Sequence, residues 1–472
     1  MDWMNLFSLL VWGSLLPFVL PGTRYKAIGA AAVIAAGAVM AAVAGVTAIV
    51  LPGSETGTGA WLPGLDPIGG VFALAVAISG VACAVYAVGY MPGHAAGKSH
   101  TQVALHFAAL VALFYAMIEV IRAEDTYGFL FWWELMTLSS FLLVMFDGQR
   151  KEVLHAAVSY LVLMHVGFFL LLGGFVVPGG SEAFFGSTAA IGSATAPVAG
   201  GTAAGMPVGA FLLFLAGFGL KAGIFPLHMW LPVAHPAAPS HVSALMSGVM
   251  IKMGIYGIVR AALALNAERI MGMGALVFAL GAVTAVFGIA RAAVQSDLKR
   301  LLAYSSVENI GIICLGLGLG MLGRGLESDF IAYAGFGGAL LHVLGHSNYK
   351  TMLFLGAGSV VAATVGIFFG YLGTGMVLSP AQTAGLRRLP DELDSHGVTL
   401  MSMAVQLSAC LGPATYIGVM SAATARAAAA GAPGRRRRPG EEGRLPYRRR
   451  FRRPGGDPPG QRGAGGKGLP HQ

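Results

Sequence analysis

The segment 27–50 runs for 24 residues without a single Asp, Glu, Lys or Arg. A helix rises ~1.5 Å per residue, so ~20 apolar residues cross the hydrocarbon layer of a bilayer. A backbone immersed in lipid must satisfy its own hydrogen bonds, which leaves helices or a closed barrel. The short alternating strands of a barrel do not occur in this sequence. Charged residues make up 11% of the chain, against roughly 25% in a soluble domain, too few to hydrate the surface of a globule. The chain therefore reads as an all-α, polytopic membrane protein.

Apolar stretches predict helices near 3–20, 27–50, 66–90, 103–121, 127–147, 154–177, 208–232, 241–265, 270–292 and 300–322. One long or two short segments follow between 328 and 372, and a weaker one at 398–420, giving twelve or thirteen spans. The apolar start, 1–20, precedes its basic residues, the reverse of a cleavable signal peptide, and reads as the first span. Residues 435–472 hold 12 Lys/Arg and 3 Asp/Glu, leaving 18 of each sign in the rest. The net charge of +9 thus belongs to the tail, and the membrane body offers nothing to a nucleic acid. The tail, rich in Arg, Pro and Gly, is expected to be disordered. Its composition suggests a truncated or frame-altered C-terminus, the rival being a polybasic segment held on anionic lipid.

Loop charges set the expected orientation. Arg24, Lys26, Lys98, Arg150, Lys151, Arg291, Lys299 and Arg300 fall after the first, third, fifth and ninth helices. The opposite loops hold only Arg122 and Arg269, with Arg260 inside the end of the eighth helix. The positive-inside rule then places the N-terminus outside. The loop at 178–207, rich in Gly, Ser, Thr and Ala, reads as an outer linker with little structure.

Cys83, Cys314 and Cys410 lie far apart in apolar runs, with no CxxC pair for iron–sulfur or structural zinc. Neither a GxxxxGK[ST] loop nor a GxGxxG in a strand–helix setting occurs. No cofactor, metal or nucleotide is expected on this chain, so any electrons would be handled by another subunit.

Against this apolar background the buried ionisable residues carry the chemistry, since a charge at mid-bilayer costs roughly 2.5–3.5 kcal/mol on insertion scales. Glu134 lies in Tyr127-Gly-Phe-Leu-Phe-Trp-Trp-Glu134-Leu-Met, seven residues into the fifth helix. It is either a protonated carboxyl bonded to a neighbouring helix or a carboxylate poised near an ammonium. Glu119, near the end of the fourth helix, reads as interfacial. Lys221 is the natural partner for Glu134. It sits in Leu213-Phe-Leu-Ala-Gly-Phe-Gly-Leu-Lys221-Ala-Gly-Ile-Phe-Pro226-Leu-His228-Met-Trp-Leu-Pro232. Pro226 removes a helical hydrogen bond little more than a turn later, and Pro232, Pro236 and Pro239 add to the disruption. A broken helix at membrane depth is tolerated where it is buried in protein or lines a wet cavity; the plainer alternative is a kinked helix with a snorkelling lysine. Lys252 follows in the next helix, as a relay or as a lysine resting on a carbonyl. His342, His346 and Lys350 recur at i, i+4 and i+8 on one helix face. Such a file suits proton hopping, with packed histidines or a weak metal site as alternatives. His106 and His165 read as isolated, packed or interfacial residues.

The run from Gly219 through Lys221, Pro226, His228, Pro232, His235, Pro239 and Lys252 to Tyr256 resembles the signature of the antiporter-like membrane subunits. These occur in respiratory complex I, in multisubunit sodium/proton antiporters and in membrane-bound hydrogenases. Asp297-Leu-Lys299-Arg300-Leu-Leu-Ala-Tyr-Ser-Ser and His346-Ser-Asn-Tyr-Lys350-Thr-Met-Leu-Phe-Leu-Gly-Ala-Gly-Ser-Val are similar to that family as well. The phrasing Ser305-Ser-Val-Glu308-Asn-Ile-Gly resembles the large membrane subunit of hydrogenase-4 and formate hydrogenlyase.

The resemblance implies inverted five-helix repeats, each with a broken helix. Residues 1–102 would be the first three helices, 103–265 the first translocation repeat and 266–372 a partial second one. A divergent segment, 373–434, and the tail, 435–472, would follow. The family's second Pro-broken helix has only a loose counterpart at 382–390, and 398–420 holds no intramembrane charge. The roles implied are Glu134 as acidic partner, Lys221 as pumping lysine on the seventh helix, with His228 flanking its break. Lys252 would be the relay, and His342, His346 and Lys350 the file beyond it. The function implied is proton translocation in a respiratory-type oxidoreductase complex of the cell membrane. Other membrane subunits and a peripheral redox arm would be its partners, with no redox centre on this chain. A cation/proton antiporter subunit without a redox partner uses the same residues, while a haem- or quinone-bearing anchor would need a cross-bilayer histidine pair.

Overall fold

The computed structural model describes residues 3–50, 65–191 and 205–358. The expected span at 398–420, the far part of 328–372, the divergent segment and the basic tail lie outside the described residues. Every regular element among the described residues is helical. In chain order they are α1 (Trp3–Val19), α2 (Gly22–Val50), α3 (Pro67–His94), α4 (His100–Arg122), α5 (Thr126–Val144), α6 (Lys151–Val176) and α7 (Gly180–Ile191). Then come α8 (Val208–Ala222), α9 (Leu231–Ala237), α10 (Ser240–Leu245), α11 (Ile251–Leu263), α12 (Ala267–Ala293), α13 (Leu298–Gly325) and α14 (Asp329–Gly358). A 3₁₀ turn, Met145–Asp147, ends α5, and a π-helical turn, Met246–Met250, joins α10 to α11. Eight of the described helices are long and apolar enough to cross a membrane, and the chain is a polytopic membrane protein.

Short polar side chains start the helices. Asp66, Ser99, Asp125 and Asp297 accept from the amides of Gly69, Gln102, Gly128 and Arg300 at 2.7, 3.2, 2.9 and 2.7 Å. Each bond satisfies one of the free N–H groups of a first turn, and a carboxylate there also meets the positive end of the helix dipole. Lys26, read from sequence as a loop charge, instead lies buried in the second turn of α2. It donates to Pro17 O at 2.6 Å, to Leu20 O and to His100 Nε2 at 2.6 Å. The helix begins five residues earlier than its apolar run, so the lysine caps the carbonyl end of α1.

The core is layered by burial. Ser240–Leu263 is wholly enclosed, whereas 28% of the apolar window of Gly22–Val50 and of Glu268–Ala293 is buried. These outer helices present their remaining side chains to the surroundings, as lipid-facing helices do. α12 and α13 approach backbone to backbone: a Cβ on Gly281 would stand 2.7 Å from the Leu315 amide nitrogen.

Two features depart from the sequence reading. The supposed linker at 178–207 contains α7, because Phe184 and Phe185 enter an aromatic cluster with Phe129, Phe175 and Phe214. Phe184 stands 5.5 Å from Phe129 and 5.2 Å from Phe214, ring centre to ring centre. Arg260, expected only as the end of a span, is buried and paired with the same Asp66 that caps α3. Its Nη2 donates to Asp66 Oδ1 at 2.7 Å and to Tyr256 Oη at 3.0 Å, and its Nη1 donates to Asp66 Oδ2. Tyr256 donates in turn to Ile121 O at 2.8 Å, so α3, α4 and α11 are tied at one end.

Candidate proton-translocation site

The break that follows α8 is built at Gly223, whose φ of +84° is a left-handed conformation that glycine adopts without strain. Gly219 O accepts from Gly223 N at 2.8 Å and Ile224 N at 2.9 Å. Leu220 O is taken by the Trp230 indole at 2.8 Å, and Phe225 N donates to Thr284 Oγ1 of α12 at 3.1 Å. Several of the backbone groups released by the break therefore find partners within the protein, the condition under which a discontinuous helix survives in a membrane. Helical structure resumes at Leu231.

Lys221 closes α8 one residue before its end and is 1% exposed. Its Nζ donates to Thr137 Oγ1 of α5 at 2.8 Å and lies 5.3 Å from the centre of the Trp133 ring. Thr137 is one turn along α5 from Glu134, so amine and acid are neighbours without touching. Glu134 remains within electrostatic reach of Lys221. Its Oε1 stands 3.1 Å from His165 Nε2 on α6, without hydrogen-bond geometry. His165 is thus not isolated, as its sequence surroundings suggested, but is the first side chain facing the acid.

His228 lies in the break, stacked on Phe225 at 5.7 Å and edge-on to Phe287 at 4.8 Å, with Nδ1 unpartnered. It lines a cavity of about 270 Å³ with Arg291, Arg300 and Tyr304.

Lys252 follows the π-helical turn. There the Ile251 amide reaches back to Met246 O, so Ser247 O loses its regular helical donor. Lys252 Nζ donates to that carbonyl. Ser247 Oγ and Ser306 Oγ share a hydrogen bond of 2.7 Å, and Ser306 Oγ also donates to Leu302 O at 2.8 Å. Leu302 O accepts from Lys350 Nζ at 3.1 Å. A polar seam therefore runs from Lys252 to Lys350 through two serines and two carbonyls across Ser240–Leu263, α13 and α14.

His342 and His346 stack at 6.0 Å with 20° between their planes. His342 Nε2 donates to Asn309 Oδ1 at 2.9 Å, which also accepts from Tyr349. His346 is fully buried and neither ring nitrogen has a partner. The three residues of the file share α14, but only the two imidazoles face each other. Among the described residues no three His, Cys, Asp or Glu side chains converge as a metal site.

Thr137, His165, Ser247 and Ser306 had no sequence signal beyond being polar in apolar helices. His106, read as isolated, meets His241 Nε2 to Nε2 at 2.9 Å. His235, present in the signature run, is fully buried with both ring nitrogens unpartnered.

A broken membrane span holding a buried lysine, inside a lattice of hydroxyls, imidazoles and further lysines, defines a class of helical membrane protein built around protonatable groups. The chain belongs to the family described as NADH:quinone oxidoreductase/Mrp antiporter, TM, which matches residues 123–368. Among curated relatives it is similar to hydrogenase-4 component B of Escherichia coli (strain K12), 38% identical over 300 residues, 63% of this chain and 43% of that protein. Formate hydrogenlyase subunit 3 of the same organism is 46% identical over 157 residues, 33% of this chain and 26% of its own length. The chain thus spans less than half of either relative. Among solved structures, the Mrp complex from Dietzia sp. DQ12-45-1b contains a chain matching with a TM-score of 0.58 at 22% identity. That match covers 75% of this chain and 63% of the other, and shows a shared fold.

Proposed function

We propose that this chain is a proton-translocating membrane subunit of a respiratory-type oxidoreductase complex, of the hydrogenase-4 or formate hydrogenlyase kind. The observation that carries the reading is Lys221: a fully buried amine at a helix break, bonded to Thr137, with Glu134 a turn away. A neighbouring carboxylate favours the charged amine, and burial disfavours it. One pKa unit corresponds to ~1.4 kcal/mol, so a modest change in the field at Glu134 moves the proton on or off Lys221. The proton then passes towards Lys252, and along the serine seam to Lys350, with His342 and His346 beside it. His228 flanks the break, and residues 103–265 form the unit in which this exchange takes place.

Electron transfer belongs, in this proposal, to partner subunits: other membrane subunits and a peripheral redox arm. The chain sits in the cell membrane with its N-terminus outside, supported by the basic residues that cluster at one set of helix ends.

The test uses membrane vesicles carrying the assembled complex, supplied with its electron donor. Proton movement should be lost in Lys221→Ala while electron transfer in the partner subunits partly persists. Undiminished proton movement in that variant contradicts the proposal. Sodium-dependent proton exchange without any electron donor would instead support an antiporter subunit.

A further inference from the structure

A second group of titratable side chains lies apart from Lys221, at the shared end of α3, α5 and the start of α4. Asp147, in the 3₁₀ turn, is contacted by Lys98 Nζ at 2.8 Å and by His94 Nε2 at 3.2 Å. The Asp147 and His94 side chains are 21% and 29% exposed, so the group is open to its surroundings. Inward from it, His94 Nδ1 and Tyr90 Oη are 3.2 Å apart, and the His94 ring stacks on Tyr90 at 5.0 Å and on Phe146 at 5.8 Å. His106 packs edge-on to the same Phe146 ring at 4.6 Å and meets His241 at 2.9 Å. Both imidazoles are buried, and the Nδ1 atom of each is unpartnered.

We infer that Asp147, His94, His106 and His241 form the proton-entry route from the basic-residue side of the membrane to the Lys252–Lys350 seam. The inference rests on the proposed function and adds a path by which its Lys252–Lys350 relay is loaded.

Two nitrogens 2.9 Å apart hold one hydrogen between them, so one ring donates and the other accepts. With His106 as donor, its bare Nδ1 takes an incoming proton. Its Nε2 proton crosses to His241 Nε2, and His241 releases the proton on its own Nδ1. One proton enters, one leaves, and the two rings end with exchanged tautomers, which ring reorientation resets.

The order follows from the neighbours. His106 has His94 and Asp147 within electrostatic reach, whereas His241 has His106, His94 and Lys299. Lys299 is anchored to Ala238 O at 2.8 Å. The buried His235 has Lys299, Lys350 and Lys252 together within electrostatic reach. A route that opens at a part-exposed carboxylate and ends at two buried lysines has the form of an inlet. A structural histidine pair would need neither the carboxylate mouth nor the unpartnered nitrogens.

The experiment measures electron-driven proton movement in vesicles carrying the assembled complex. His106→Ala should reduce it by about tenfold or more, the scale of a lost positioned proton carrier. Imidazole added to the medium should restore part of the loss, which no purely structural role would allow. If that variant fails to assemble, Asp147→Asn at the part-exposed mouth takes its place and should show the same loss. Wild-type proton movement in these variants, or a loss in His106→Ala that imidazole does not touch, overturns the inlet. Loss in Lys221→Ala with none in His106→Ala removes the inlet and leaves the proposed function standing. Loss in neither removes both.

Discussion

Two acid–base pairs among the described residues, Asp66 with Arg260 and Glu134 with Lys221, are built in opposite ways. Asp66 and Arg260 are closed on each other by two hydrogen bonds, and Tyr256 accepts a further bond from the guanidinium. Glu134 and Lys221 do not touch: a threonine takes the amine, and a histidine faces the acid. Arginine keeps its proton under any protein condition, and its planar fork fits a carboxylate at two points. Lysine is a point charge whose proton can leave when the field around it changes. The closed pair therefore reads as a clamp between helices, and the open one as a place where charge is exchanged. The difference lies in what stands between acid and base, which no count of buried charges would show.

The contrast can be broken most forcefully at the clamp. Arg260→Ala leaves Asp66 without its buried partner, and loss of one member of such a pair costs ~3–5 kcal/mol. The detergent-solubilised chain should unfold at markedly lower denaturant, with much of the loss recovered in Asp66→Asn with Arg260→Met. A smaller effect is expected at the open pair. Thr137→Val leaves the Lys221 amine without its hydroxyl, a buried donor unmade at ~1–3 kcal/mol, and proton movement should slow while the complex still assembles. Ser306→Ala cuts the seam between Ser247 and Leu302 and should cost ~0.5–1.5 kcal/mol for each hydrogen bond lost, read in the same unfolding assay. The exposed pair Arg150–Glu152, 3.6 Å apart, sets the lower end. Arg150→Ala should change stability by under ~1 kcal/mol, and a larger change would mean that exposed pairs matter here as much as buried ones.

The helices were legible because apolar runs of membrane length have few other uses, and the break after Lys221 because four prolines and Gly223 lie within a short stretch. Boundaries slipped where polar residues belong to a helix, as at Lys26, whose side chain turns back onto the end of α1. What the sequence hid was partnership. Thr137 lies 84 positions from Lys221 and Asp66 lies 194 from Arg260, and nothing local marks either as a partner. The π-helical turn that frees Ser247 O for Lys252 leaves no compositional trace in Met-Ser-Gly-Val-Met. α7 was missed because small residues around it resemble a linker, although Phe184 and Phe185 were available as a sign of burial. His106 and His165 looked solitary for the same reason as Thr137: their partners arrive from other helices.

The central claim is that Glu134 and Lys221 act as one electrostatic unit although no bond joins them. Electron-driven proton movement in vesicles carrying the assembled complex tests it through Glu134→Gln, Lys221→Ala and the double variant. The account predicts that all three fall to the same low level, with the second substitution adding nothing to the first. Undiminished movement in Glu134→Gln, or losses that multiply in the double variant, would contradict it.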